Sequence, residues 1–149
     1  MKKYKLTDET IQVDGRTLYR IQATKDFMTE SGEEIYCGRI GGFVESEANL
    51  SHEGGCWIFR HAKVFGNAKV HEEAQVFHSA EVHGNAEVFG SAKVYGNAEV
   101  RQNAKVFGNA VVCQNAKVSG DAKVSGMALV TCDAEVNGNE MVADYVIIR

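Results

Sequence analysis

Proline is absent from this chain, and long apolar runs are missing as well. Without proline, the turns must be made by glycine and asparagine, both of which tolerate unusual backbone angles. No stretch approaches the roughly 18 apolar residues that a membrane-spanning helix needs. The opening "MKKYKLTDET" has lysines but no apolar h-region, so no secretory leader is expected. Neither sign of charge dominates. The formal net charge is −4, no basic run stands out, and nucleic acid is not an expected partner. Four cysteines, Cys37, Cys56, Cys113 and Cys132, are too few and too scattered for a disulfide framework. Free thiols in a reducing cytoplasm are the expectation.

What is present is a repeat. Valine occupies every sixth position from Val64 to Val142 without a break, and alanine lies two residues before it from Ala62 to Ala134. Such a period has to be read before any local pattern. Residues two apart on a strand face the same way, so Ala and Val of each Ala-x-Val share a buried side. The residue between them is mostly Lys or Glu and faces water. A helix turning 100° per residue cannot hold one face through a six-residue period. A meander of three-residue strands would have too little to pair with. A parallel coil works, each short strand stacking on its equivalent one turn later, about 4.8 Å away.

On these residues the chain resembles the hexapeptide-repeat family, with an aliphatic residue at one position and a small one four further on. The resemblance covers roughly residues 56–142. It implies an all-β fold, a left-handed parallel β-helix of about five to six triangular coils of 18 residues each. It also implies the homotrimers with parallel axes that the family commonly forms. The left hand of the crossover is an exception to the usual rule for parallel connections.

The ends depart from the period. In "TIQVDGRTLYRIQA", alternating apolar residues flank Asp14-Gly15, a two-residue hairpin signal. The expected division is an N-terminal β-hairpin cap over 1–36, the repeat over 37–142 and a tail over 143–149. Residues 37–61 read as degenerate first coils with a larger loop, and Trp57 and Phe59 as plugs of the open end. The tail "MVADYVIIR" reads as a cap or an added strand. The segments "LTDETIQVDGRTLYRI", "GGFVESEANLS" and "GGCWIF" also look like an arrangement common to uncharacterised bacterial and phage proteins.

Stacking by 18 places the residues after each valine in columns: Phe65-His83-Arg101-Ser119-Asn137, His71-Phe89-Phe107-Ser125, and Phe77-Tyr95-Cys113-Thr131. Aromatic ladders of this kind stabilise stacked strands. As exposed apolar surface they also offer a ligand site, and Phe65, His83, Arg101, Phe89, Tyr95 and Phe107 are the candidates. The column Gln75-Lys93-Val111-Leu129 turns apolar on a charged surface. With Met127, it marks Val111, Met127 and Leu129 as a subunit interface, and Tyr145 and Ile147 as end contacts. The column Asn67-Asn85-Asn103-Asp121-Asn139 is explained by turns whose amides bond to one another.

Many members of the family that the chain resembles are acyltransferases using acetyl-CoA, with a histidine base and a loop thrown out from a coil. Here residues 62–136 hold their register with no insertion, which argues against such a site. The gamma-class carbonic anhydrases, also of this family, hold zinc through two histidines five apart, a spacing shared by His78 and His83. The family's third histidine would fall at Gly42, so the match is partial, and no metal or other cofactor is expected. The expected function is therefore a non-enzymatic binding or interaction protein, trimeric, cytoplasmic and phage-like. It would sequester a small molecule or block a host protein. An acyltransferase-like enzyme and a polymer-forming rod are the alternatives.

Overall fold

The computed structural model describes residues 2–149. From residue 57 onward, two-residue strands recur every six residues, from Trp57–Ile58 and Lys63–Val64 to Met141–Val142 and Ile147–Ile148. They stack into three parallel faces. The first face runs Lys63–Val64, Glu81–Val82, Glu99–Val100, Lys117–Val118 and Glu135–Val136. The second runs Lys69–Val70, Glu87–Val88, Lys105–Val106, Lys123–Val124 and Met141–Val142. The third runs Trp57–Ile58, Gln75–Val76, Lys93–Val94, Val111–Val112, Leu129–Val130 and Ile147–Ile148. Equivalent residues of successive coils are in register, Val82 opposite Val64 and Val100. Each strand donates to the coil below, Lys63 N to Ala80 O and Phe65 N to Val82 O, both at 3.0 Å. Among the described residues the only helix is one 3-10 turn, Glu47–Asn49, and no helix is long and apolar enough to cross a membrane.

The core follows from the repeat. The Ala and Val of each unit lie inside and are almost wholly buried along the solenoid. Each valine withdrawn from water contributes about 1.5–3 kcal/mol. Small residues at the alanine position let the three faces approach one another. The corners are made by left-handed residues: Gly66, Gly84 and Gly90 have φ of +67°, +71° and +65°. A side chain at Gly84 would also meet the next coil, because its Cβ would fall 2.8 Å from Gln102 N. The asparagine column hydrogen-bonds down the outside, Asn67 to Asn85 at 3.1 Å, Asn85 to Asn103 at 3.1 Å and Asn103 to Asp121 at 2.9 Å.

The N-terminal segment is more than a plug. Strands β1 (Tyr4–Val13) and β2 (Arg16–Ala23) form an antiparallel hairpin that turns at Asp14-Gly15, both with positive φ. β2 pairs antiparallel with β5 (Ile40–Val44), so the hairpin extends the first face. Leu18 then covers Phe43 and Phe65. Between β2 and β5 the chain leaves the sheet in a second hairpin, β3 (Phe27–Met28) and β4 (Glu34–Ile35), which lies over the top of the third face. Phe27 meets the Trp57 ring edge-on at 5.4 Å, and Tyr4 does so at 6.4 Å. Trp57 is fully buried there. Phe59, expected as a second plug, is half-buried on an outer corner instead, edge-on to Phe77 at 5.8 Å. Lys3 is buried too, its Nζ donating to Gly54 O and Cys56 O. Burial pushes the Lys3 amine down and the Cys56 thiol up.

The last residues neither cap nor leave the solenoid. Met141–Val142 and Ile147–Ile148 continue the second and third faces in register.

Candidate functional site

The loop between β3 and β4 is the feature that shapes a cavity. Thr29 N donates to Glu33 O at 2.9 Å and Gly32 N to Thr29 O at 3.0 Å, so residues 29–33 form a compact turn. Two side-chain bonds pin it to the solenoid. Gln75 Nε2 donates to Ser31 Oγ at 3.1 Å, and Ser91 Oγ donates to Glu30 Oε2 at 2.6 Å. Gln75 occupies an outward position of the repeat yet is buried, because the loop roofs it.

Two adjoining cavities lie at the loop's edges and share Ser31, Gln75 and Lys93. One, of about 420 Å³, is walled by Phe59, Arg60, His61, Phe77 and His78, with Glu33 on the rim. Glu33 is occupied by Arg39 at 3.2 Å, so Arg60 and Lys93 leave this lobe cationic. The other, of about 210 Å³, is more acidic, with Glu30 and Glu73, and opens toward Asn109 and Val111. An apolar, aromatic wall beside convergent cations suits an anionic molecule with a planar or apolar part. His61 and His78 are exposed on that wall and can accept or donate a proton. His78 is edge-on to Phe77 at 5.0 Å and to Tyr95 at 5.8 Å.

The residues expected to bind ligand are divided among three corners. At the first, Phe65 stacks on His83 with centroids 4.8 Å apart and planes 2° from parallel. Phe65 is buried beneath the hairpin, and Arg101 lies one coil below His83. At the second, His71, Phe89 and Phe107 stack at 4.9 and 5.0 Å. At the third, Phe77 stacks on Tyr95 at 4.7 Å. Burial pushes the Tyr95 hydroxyl upward in pKa, helped by its bond to Cys113. These ladders form as the columns predict, but they do not converge on one site. Only the third borders the roofed groove, through Phe77.

The expected interface residues do form one stripe. Val111, Leu129 and Ile147 lie in register on the third face below the groove. Met127 and Tyr145 are exposed, at 50% and 81%. His78 and His83 are not gathered: His78 lines the groove, whereas His83 bonds Glu99 at 2.7 Å on the first face. Cys113 and Cys132 are both free, and Cys113 Sγ donates to Thr131 Oγ1 at 3.3 Å.

Sequence reasoning missed the groove because it sought an insertion within the coils. The loop exists, but it comes from residues 29–33, ahead of the repeat. The available signal was Gln75, an uncharged polar residue between Lys69 and Glu81 in the outward positions along the chain, close to the aromatic pair Phe59 and Phe77.

No family model matches the chain. Among curated proteins it is similar to the uncharacterized acetyltransferase YdcK of Escherichia coli, 34% identical over 79 residues, which is 47% of this chain. The chain spans only 23% of the length of YdcK. The unbroken six-residue register and the three stacked faces make a parallel β-solenoid of about 6 turns, whose sheets fit a left-handed β-helix and are consistent with a hexapeptide-repeat architecture.

Proposed function

We propose that the chain is a binding protein whose β-helix carries a roofed groove for a small anionic molecule. The observation that carries this reading is the turn 29–33, pinned over the third face so that Arg60, Lys93, His61 and His78 meet the Phe59–Phe77 wall. The volume of the larger lobe falls within the about 300–1,000 Å³ usual for small-molecule sites. In the finer form of the proposal the protein sequesters its ligand, or blocks a host protein, as a phage product would. Four free thiols fit a reducing cytoplasm. The stripe Val111, Met127, Leu129, Tyr145 and Ile147 is the contact between copies in a trimer. Because the smaller lobe ends at Val111, a neighbouring copy docked there would close the groove.

A second reading, acyl transfer from acetyl-CoA, is favoured by the similarity to YdcK, an uncharacterized acetyltransferase, and by two histidines on the groove wall. General-base catalysis would require His61 or His78 within hydrogen-bond reach of the acceptor. Native mass spectrometry after incubation with a metabolite extract separates the readings. Binding predicts a closed oligomer with a discrete added mass, lost in Arg60→Ala and Lys93→Ala. A protein that gains no mass from the extract, yet binds coenzyme A and turns over acetyl-CoA in a His78-dependent way, would reject the binding proposal for the enzymatic one.

A further inference from the structure

His83 and His71 occupy equivalent corners of the solenoid, and their surroundings differ in charge. Each imidazole Nε2 meets a glutamate one coil below and two residues back: His83 bonds Glu99 Oε2 at 2.7 Å, and His71 bonds Glu87 Oε2 at 3.1 Å. Each ring is also held by a stacked phenylalanine, Phe65 on His83 and Phe89 on His71. The residue two before the histidine points to the same side of the strand. It is Lys69 at the second corner and Glu81 at the first.

The first corner therefore concentrates negative charge. Glu81 and Glu99 lie directly in register on adjacent strands, an arrangement that like charges disfavour. Lys63 and Lys117 flank them in the same column, yet neither forms an ion pair with them among the described residues. The side chain of Glu81 has no hydrogen-bond partner among the described residues, although it is half-buried. Arg101, one coil below His83, has a buried Nε without a partner and contributes positive charge to the neighbourhood. At the second corner, Lys105 instead pairs with Glu87 at 3.7 Å.

We infer that Glu81, His83 and Glu99 form a binding site for a divalent transition metal of the zinc type. Their ligand atoms lie within 4.8 Å of one another, and all three residues are half-buried. One imidazole nitrogen and two carboxylates are donors that zinc accepts, and three protein ligands leave a fourth position for water. Two carboxylates balance the charge of the ion and relieve their own repulsion. Tetrahedral bonds of about 2.0–2.2 Å require His83 Nε2 and Glu99 Oε2 to part from their 2.7 Å hydrogen bond and the Glu81 carboxylate to turn in toward them. The unpartnered Glu81 side chain supplies that movement. Phe65, buried under Leu18 and Phe43, fixes the plane of the imidazole. This site is separate from the groove and does not depend on it.

The test is isothermal titration of zinc chloride into the full chain carrying Cys37→Ser and Cys132→Ser, which removes the exposed thiols as competing ligands. The expected result is a single equivalent bound in the micromolar range or tighter. His83→Phe keeps the aromatic ladder, as Phe89 on Phe107 does, while removing the nitrogen ligand. Glu81→Gln keeps the shape and removes one charge. Loss of a group that only supports a metal ligand costs about 10–100-fold in affinity, so either variant should lose at least about 100-fold. Conversely, Lys69→Glu combined with Lys105→Gln should create a second equivalent at the His71 corner. Binding unchanged in His83→Phe or Glu81→Gln overturns the site, as does no uptake at micromolar zinc. Failure of the rebuilt His71 corner to gain an equivalent overturns the ligand set.

Discussion

The upper and lower halves of the third face are built on one repeat and look unlike each other. Above, the outward positions Trp57 and Gln75 are buried beneath β3, β4 and the loop between them. Below, Leu129 and Ile147 occupy the same positions with no roof, and Ile147 is 55% exposed. The corners follow the same division, with Phe, His and Tyr in the early coils and Ser119, Ser125 and Asn137 in the late ones. Solenoid stability is a sum of repeats and their neighbour interfaces. Decoration can therefore change from coil to coil while the scaffold stays constant. The difference places specific chemistry where a non-repeating segment is laid over the repeat.

Replacing equivalent outward residues should expose this asymmetry most strongly. Trp57→Ala removes a fully buried ring held by Tyr4 and Phe27 and should cost about 3–5 kcal/mol. Met141→Ala, at an outward position that is 76% exposed, should stay within about 0.5 kcal/mol. Urea denaturation of both variants reads the contrast, and equal losses would break it.

Glycines should show the same division more mildly. Gly42 stands where the later coils carry alanine, but an added Cβ would lie 2.5 Å from Ala62 O and 2.6 Å from Ile58 Cγ2. Gly42→Ala should therefore cost about 1–3 kcal/mol as overpacking. Gly138 has φ of +60° and nothing near its absent Cβ, and asparagine tolerates that conformation. Gly138→Asn should change the denaturation midpoint very little.

The roof itself can be loosened. Gln75→Ala removes the bond to Ser31, at a cost of about 1 kcal/mol. Amide exchange should quicken over residues 29–33 and stay unchanged in the coils beyond Ser119. Acceleration throughout the chain would mean that the roof and the solenoid unfold as one unit.

The smallest effect is one of pH at the N-terminal end. Hydrogen bonds from Lys2 and then His52 hold the Glu47 carboxyl below its ordinary value of 4.5. A depressed folded pKa means that the unfolded chain binds more protons in that window. The contribution is thus present above pH 4.5 and lost as the pH falls through the lower folded value. Glu47→Gln should narrow the difference between urea midpoints at pH 6 and pH 3. An unchanged difference would remove Glu47 from the acid response.

The solenoid was legible because its signal is local and repeated: Ala-x-Val sets the faces, and left-handed corner residues set the turns. The Asp14-Gly15 hairpin was legible for the same reason. The roof was not, because Ser31 meets Gln75 across 44 residues with no periodic cue. The carboxylate–histidine pairs were missed for a geometric reason. Columns of 18 align equivalent positions, whereas His83 reaches Glu99 at a separation of 16, one coil on and two residues back. The tail reads from its apolar residues as a cap or an added strand; its place in the coils is obscured because its alanine positions carry Glu140 and Val146, although Val142 and Ile148 keep the inward register.

The central claim is that ligand binding belongs to the roofed half. Amide chemical shifts of isotopically labelled protein, recorded before and after adding a small-molecule metabolite extract, test it most directly. The account predicts shifts clustered at Ser31, Gln75, His78 and Lys93, with Ser119 to Asn137 unmoved. Shifts centred on the bare coils, or none at all, would contradict it.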